Sequence, residues 1–292
     1  MKISRSLLLS EQMDSQSYPW IIAVAAVLVA VVAGFSALSQ PTTAPVSATE
    51  QDATVLLIRL QSDITTALEA LDSRLAHAAF DLGKTDLNDT AARGVLINLS
   101  SADPSIVDCT ASDMEGTLLA AEPAEFHGVE GSDLRDQPNV RHILASKRPI
   151  MSEVITVAEG IPAVVISTPI VTGQDRFVGF TSIVFQPYDL IAGIAGPAAD
   201  GTPYQVMVLQ TDGRVIYDTD PAQIGRMMFE DPLYTDHPDL LDTAQRVVSE
   251  RYGTATYKFA ADGGETVQKE ITWTTTGLHG TEWRVAVIRA VE

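Results

Sequence analysis

The densest chemistry in this sequence is a basic run. Between Leu134 and Pro149 stand Arg135, Arg141, Lys147 and Arg148 against the single acid Asp136. A guanidinium offers paired donors that match a carboxylate, so the run is a candidate anion holder. The competing reading is an arginine paired with Asp133 or Asp136, or one standing in water. The five histidines, His77, His127, His142, His237 and His279, are dispersed and form no metal-binding pair. His142 follows Arg141 and could face the same pocket. Asp218 and Asp220 hint at a cation, but two carboxylates in a turn are usually turn formers. Cys109 is the one cysteine, which excludes a disulfide framework or a cysteine metal site within the chain. It reads as a buried, inert thiol. The sequence carries no G-x-S-x-G, no Walker loop and no G-x-G-x-x-G. These features argue against an enzyme and imply no cofactor and no metal.

The chain has 292 residues, a 46% apolar fraction and a net charge of -19. Lys2, Arg5, Glu11 and Asp14 cancel and residues 15–40 are uncharged, so the acidic excess lies after residue 40. A body of that sign repels phosphate backbones and argues against nucleic-acid binding.

Trp20 to Leu38 is free of charge and polar only at Ser36. As a helix it reaches roughly 28 Å, close to a hydrocarbon core. Tyr18 and Trp20 suit the headgroup level, and Lys2 and Arg5 precede the span. The positive-inside rule then gives a cytoplasmic segment 1–19, a single-pass anchor 20–38 and an extracytoplasmic remainder. The competing reading is a cleaved signal peptide ending near Ala37-Leu38-Ser39; both readings export the domain.

Residues 40–50 read as a linker. A long helix is expected over 51–83, where Ile64, Leu68, Leu71, Leu75, Ala78 and Leu82 form a heptad stripe. It either pairs with a second copy or lies along the domain it precedes. Thr90–Leu99 fits another helix with Asp89 as N-cap. Hairpins are expected at Ser105–Ala111/Thr117–Ala121 and at Tyr204–Gln210/Arg214–Asp218, the second around Asp212-Gly213. Strands are expected at Glu153–Ala158, Ala163–Ile170 and Phe177–Gln186, and at Gly253–Ala260, Val267–Thr276 and Glu282–Ala290. Helices fit Pro138–Ser146 and Pro238–Glu250. The whole reads as α+β: two antiparallel-sheet units in series, split near 193–202, over 84–196 and 197–292.

The order of these motifs resembles the double Cache (PAS-like) extracytoplasmic sensor domains. Gly131-Ser132-Asp133-Leu134-Arg135, the Pro149 and Ser152 strand start, Gly160-Ile161-Pro162 through Ser167-Thr168-Pro169, and Phe177-Val178-Gly179 look like its membrane-distal half. Asp212-Gly213-Arg214 and Asp220-Pro221 through Gly225 look like its proximal half. The resemblance implies a small-molecule ligand in the distal unit. It places Arg135 where the family holds a carboxylate. Gln137, Arg141, His142, Ser152 and Ser167 nearby are read as further ligand contacts. The aromatics and the acid of the amino-acid-binding version are not matched, so a simple carboxylate or small anion is expected. Sensors of this family usually continue into a second membrane helix and a transmitter. None follows the last strand here, so a partner receptor subunit or a homodimer is expected to complete the signal. The alternative is an anchored structural or assembly protein that dimerises through the heptad helix and binds nothing small.

Overall fold

The heptad stripe is carried by one helix, α1 (Ala48–Leu82), of 35 residues, about 52 Å long at 1.5 Å per residue. This and all that follows comes from a computed structural model, which describes residues 48–259 and 266–291. The expected segment 1–19, the anchor 20–38 and most of the linker 40–50 lie outside them. Among the described residues no helix is long and apolar enough to cross a membrane.

Two antiparallel sheets lie along α1. The first contains β1 (Ile106–Asp113), β2 (Leu118–Glu122), β3 (Ile150–Met151), β4 (Ile155–Thr156), β5 (Pro162–Val171) and β6 (Phe177–Phe185), in the order β2-β1-β6-β5-β3 with β4 also on β5. The second contains β7 (Gln205–Gln210), β8 (Val215–Asp218), β9 (Gly253–Phe259), β10 (Val267–Leu278) and β11 (Thr281–Ala290), ordered β8-β7-β11-β10-β9. Each sheet opens on a hairpin whose first strand pairs with the last strand of its set. The expected pair of α+β units is present.

Strand alternation gives each sheet two buried faces. On β6, Ile183 and Phe185 turn toward α1, where they share one core with Ile64, Leu68, Leu71 and Leu75. Val206, Val285 and Val287 of the second sheet join the same core. The stripe is therefore consumed inside its own fold, Leu68 being fully buried. The assembly alternative thereby loses the seam it needed. The opposite faces are covered by shorter helices: α3 (Pro138–Ser146) on the first sheet, and α5 (Pro232–Thr235) with α6 (Pro238–Ser249) on the second.

Local chemistry explains the helix ends. Asp89 accepts the Ala92 amide at 2.7 Å and starts α2 (Thr90–Ser100). Pro138 occupies the first turn of α3, where its missing N–H costs nothing. Gly94, inside α2, has nothing within 4 Å of where a Cβ would stand. Gly94→Ala is expected to stabilise the protein by about 0.5–1 kcal/mol, through lower backbone entropy in the unfolded chain; urea unfolding checks it.

Some elements differ from expectation. The strand foreseen over Glu153–Ala158 is only the short β4; β3 lies ahead of that range, and Ser152 follows it directly. Its Oγ accepts the Val165 amide at 3.0 Å and donates to the Glu153 carbonyl at 2.6 Å. A helix not foreseen, α4 (Pro187–Ala199), runs through Gly193, Gly196 and Pro197, which read as linker. Its buried Leu190, Ile191 and Ala195 hold it against the core. Cys109 is buried as expected, and burial pushes its thiol up further.

Candidate functional site

The first sheet's outer face positions the candidate site. β1 turns Asp108 and Thr110 to that face, β6 turns Ser182 and Val184, and β5 turns Val165 and Ser167, each two residues apart. α3 and the turn Val157–Gly160 close over them. The cavity they enclose is about 20 Å³, room for roughly one water. Thr110, Gln137, Asn139, Glu159 and Ser182 supply its polar lining.

Its unpaired buried side-chain atoms are acceptors. Asn139 Oδ1, Glu159 Oε2 and both carboxyl oxygens of the neighbouring Asp108 are buried without a hydrogen-bond donor from the protein. All four atoms are acceptors when Asp108 and Glu159 are ionised. Asp108 is fully buried, and burial, reinforced by the nearby Glu159 charge, pushes its carboxyl well above the usual range. Two ionised carboxylates have no donor between them. A proton retained on Asp108 turns the same approach into a hydrogen bond.

Of the expected ligand residues, Gln137 lines this cavity. Ser167 stands one bond behind it, its Oγ 2.8 Å from that of Ser182. Ser152 is occupied by backbone, as described above. Arg135, Arg141 and His142 are exposed outside it. Arg135 forks onto Asp133, with Nε 2.9 Å from Oδ1 and Nη2 2.5 Å from Oδ2, and this guanidinium holds the Asp133 carboxyl down to about 2. Arg141 donates to the Asp136 carbonyl at 2.6 Å. Lys147 caps α3 in the left-handed region at φ 50 and lies 5.4 Å above the Phe177 ring. The basic run is thus a surface feature whose first arginine is already matched. A separate cation, Arg93, closes a half-buried ring with Glu122 at 3.0 Å and Glu130 at 2.9 Å.

The sequence reading missed Asp108, Asn139 and Glu159. Asp108 carries a usable signal: an acid inside the apolar run Ile106-Val107-Asp108-Cys109, where strand alternation buries it. Asn139 and Glu159 reach the site only through the fold.

Residues 66–187 match the family model described as HK/GC/Chemotaxis protein-like, sensor domain. No curated protein matches the chain. Among solved structures, an extracellular ligand binding receptor from Desulfohalobium retbaense is similar at 26% identity and a TM-score of 0.70, covering 81% of this chain. This chain spans only 40% of that receptor's length. The extracellular domain of a histidine kinase is similar at 18% identity and a TM-score of 0.63, covering 84% of this chain and 96% of that one. The ligand-binding domain of the Pseudomonas aeruginosa amino acid chemoreceptor PctB, in complex with L-Gln, is similar at 13% identity and a TM-score of 0.57, covering 81% and 89%.

Proposed function

We propose that this chain, which carries a Cache-type sensor domain, is a non-enzymatic extracytoplasmic module that senses a small molecule in the cavity between the first sheet and α3. The reading rests on one observation: acceptors of Asn139 and Glu159, which line it, and of Asp108, which neighbours Glu159, are buried without donors. Buried acceptors left without donors cost about 1–3 kcal/mol each, so the site is built for a ligand that brings N–H groups. A primary ammonium does this and adds charge. It takes the place of the proton that Asp108 keeps, so binding releases a proton and tightens as pH rises. The turn Val157–Gly160 has to move to admit anything larger than water.

The carboxylate or small anion expected from the sequence takes second place, with Arg135 as its handle and Arg141 and His142 beside it. Arg135 already holds Asp133, so exchanging one carboxylate for another gains little. A ligand with both an ammonium and a carboxylate engages cavity and rim together. Membrane attachment through residues 20–38 and signalling through a homodimer or a partner receptor subunit complete the proposal.

Thermal-shift and calorimetric titration against small amines and small carboxylates tests it. An amine is expected to raise the melting temperature, because it binds only the folded chain. Asn139→Leu and Glu159→Gln are expected to weaken it by roughly 10–150-fold, and Arg135→Ala by less than about twofold. A carboxylate without an amine whose affinity collapses in Arg135→Ala and ignores Glu159→Gln would return the site to the basic run.

A further inference from the structure

The outer face of the second sheet carries a cavity of its own, about 90 Å³ in volume, or roughly three waters' share of liquid. It is larger than the cavity of the first sheet and lies under α5 and α6 rather than α3. Its walls are apolar and aromatic, from Met207, Met228, Tyr257 and Phe259. Two opposite charges face it from different strands. Asp218, at the end of β8, is buried, and one carboxyl oxygen accepts the Asp220 amide at 2.8 Å. Lys269, on β10, donates to Gln205 Oε1 at 2.8 Å and lies 5.5 Å above the Phe259 ring.

These two charges sense each other without meeting. Burial raises the Asp218 carboxyl to about 7, and the Lys269 charge works against that rise. Burial likewise lowers the Lys269 ammonium, with Asp218 opposing. Among the described residues they form no ion pair with each other. The adjacent Asp220 is already engaged, capping the turn through the Ala222 amide at 3.1 Å and the Gln223 side chain at 3.1 Å. A carboxyl and an ammonium that line one cavity, both desolvated and not paired with each other, are complementary to a molecule with the reverse pair of charges at its ends.

We infer that this cavity is a second binding site, for a small zwitterion of amino-acid size, whose carboxylate meets Lys269 and whose ammonium meets Asp218. The apolar and aromatic walls accept a short alkyl chain and reject longer polar ones. The site is independent of the proposal for the first sheet. Each unit then reads its own ligand, and α1 packs against both.

The test uses the full-length chain, held in detergent for its apolar N-terminal segment and labelled with 13C at the methionine methyls. Met207 and Met228 report on this cavity, and Met151 reports on the first unit. Glycine, alanine and β-alanine are titrated separately. At least one is expected to shift the Met207 and Met228 signals saturably. Asp218→Asn and Lys269→Leu are each expected to weaken that response by roughly tenfold or more, with Lys269→Gln as a second variant where Leu disturbs folding. The other methionine signals show that each variant keeps its fold. Failure of all three probes to move Met207 and Met228 overturns the inference, and so does an unchanged response in the folded variants. Equal affinity for acetate or methylammonium overturns the zwitterion assignment. Shifts confined to Met151 locate binding in the first unit and also overturn it.

Discussion

Asp108→Asn is expected to flatten the protein's loss of stability with rising pH. Asp108 is pushed up to about 9, first by burial and then by the charge of Glu159. In the unfolded chain the same carboxyl titrates near 3.8. Between those values the folded protein binds the extra proton. The stability this proton supports is therefore fully present below the unfolded pKa and falls as pH rises toward the folded one, by about 1.4 kcal/mol per pH unit. From pH 5 to pH 8 that amounts to about 4 kcal/mol. Asparagine removes the titration, and its Nδ2 donates to Glu159 in place of the shared proton. Glu153 and Asp218, both raised to about 7 mainly by burial, titrate alike in both proteins and cancel in the difference. Urea unfolding at pH 5 and pH 8 gives the answer: the variant gains on the wild type as pH rises. Parallel curves would show that Asp108 is ionised in the folded state. The same variant tests the proposed trade between binding and stability, since it loses the charge that attracts an ammonium.

Gly179→Ala is expected to be among the most damaging single-methyl additions in the chain. Gly179 lies on β6 at φ +151, and a Cβ there would stand 2.0 Å from the Ser112 carbonyl oxygen of β1. Backbone oxygens in a paired strand cannot step aside. The β1–β6 ladder has to open locally, and the residue sits in a region that L side chains avoid. A loss of about 3 kcal/mol or more follows, measurable as a lower urea midpoint, whereas Gly128→Ala, at a position without positive φ, meets nothing within 4 Å. A Gly179→Ala protein as stable as the wild type would mean that β1 and β6 are not in the described register.

Much of the fold was legible because its signals are periodic. Heptad spacing marked α1, β-rich runs marked β5, β6, β10 and β11, and Asp212-Gly213 marked the second hairpin. α4 was hidden because Gly193, Gly196 and Pro197 look like punctuation, while the burial that stabilises the helix comes from distant strands. The site was harder for the same reason. A run of four cations is visible in sequence, but whether an arginine faces solvent or a cavity depends on tertiary placement, and Asp133 two residues away was enough to claim Arg135. The inward acceptors come from β1, α3 and the turn before β5, brought together only by the sheet. The Phe-x-Gly step of β6 was read as a family trait, and the close approach of Ser112 gives it a steric cause.

The position of α1 also dictates a timetable for folding. Gln61 donates to the Thr275 carbonyl at 2.7 Å, Thr65 meets Thr276 at 2.9 Å, and Asp72 meets His279 at 2.7 Å. Partners more than 200 residues apart close late, because loop entropy must be overcome before the contact forms. The helix is made first, yet its face toward the second sheet stays uncovered until β10 and β11 have been synthesised. During that interval Leu56, Leu60 and Ile64 lie open to water on an amphipathic rod, the kind of surface that holdase chaperones bind. One N-terminal helix that carries both sheets therefore completes its packing only when the last strands arrive.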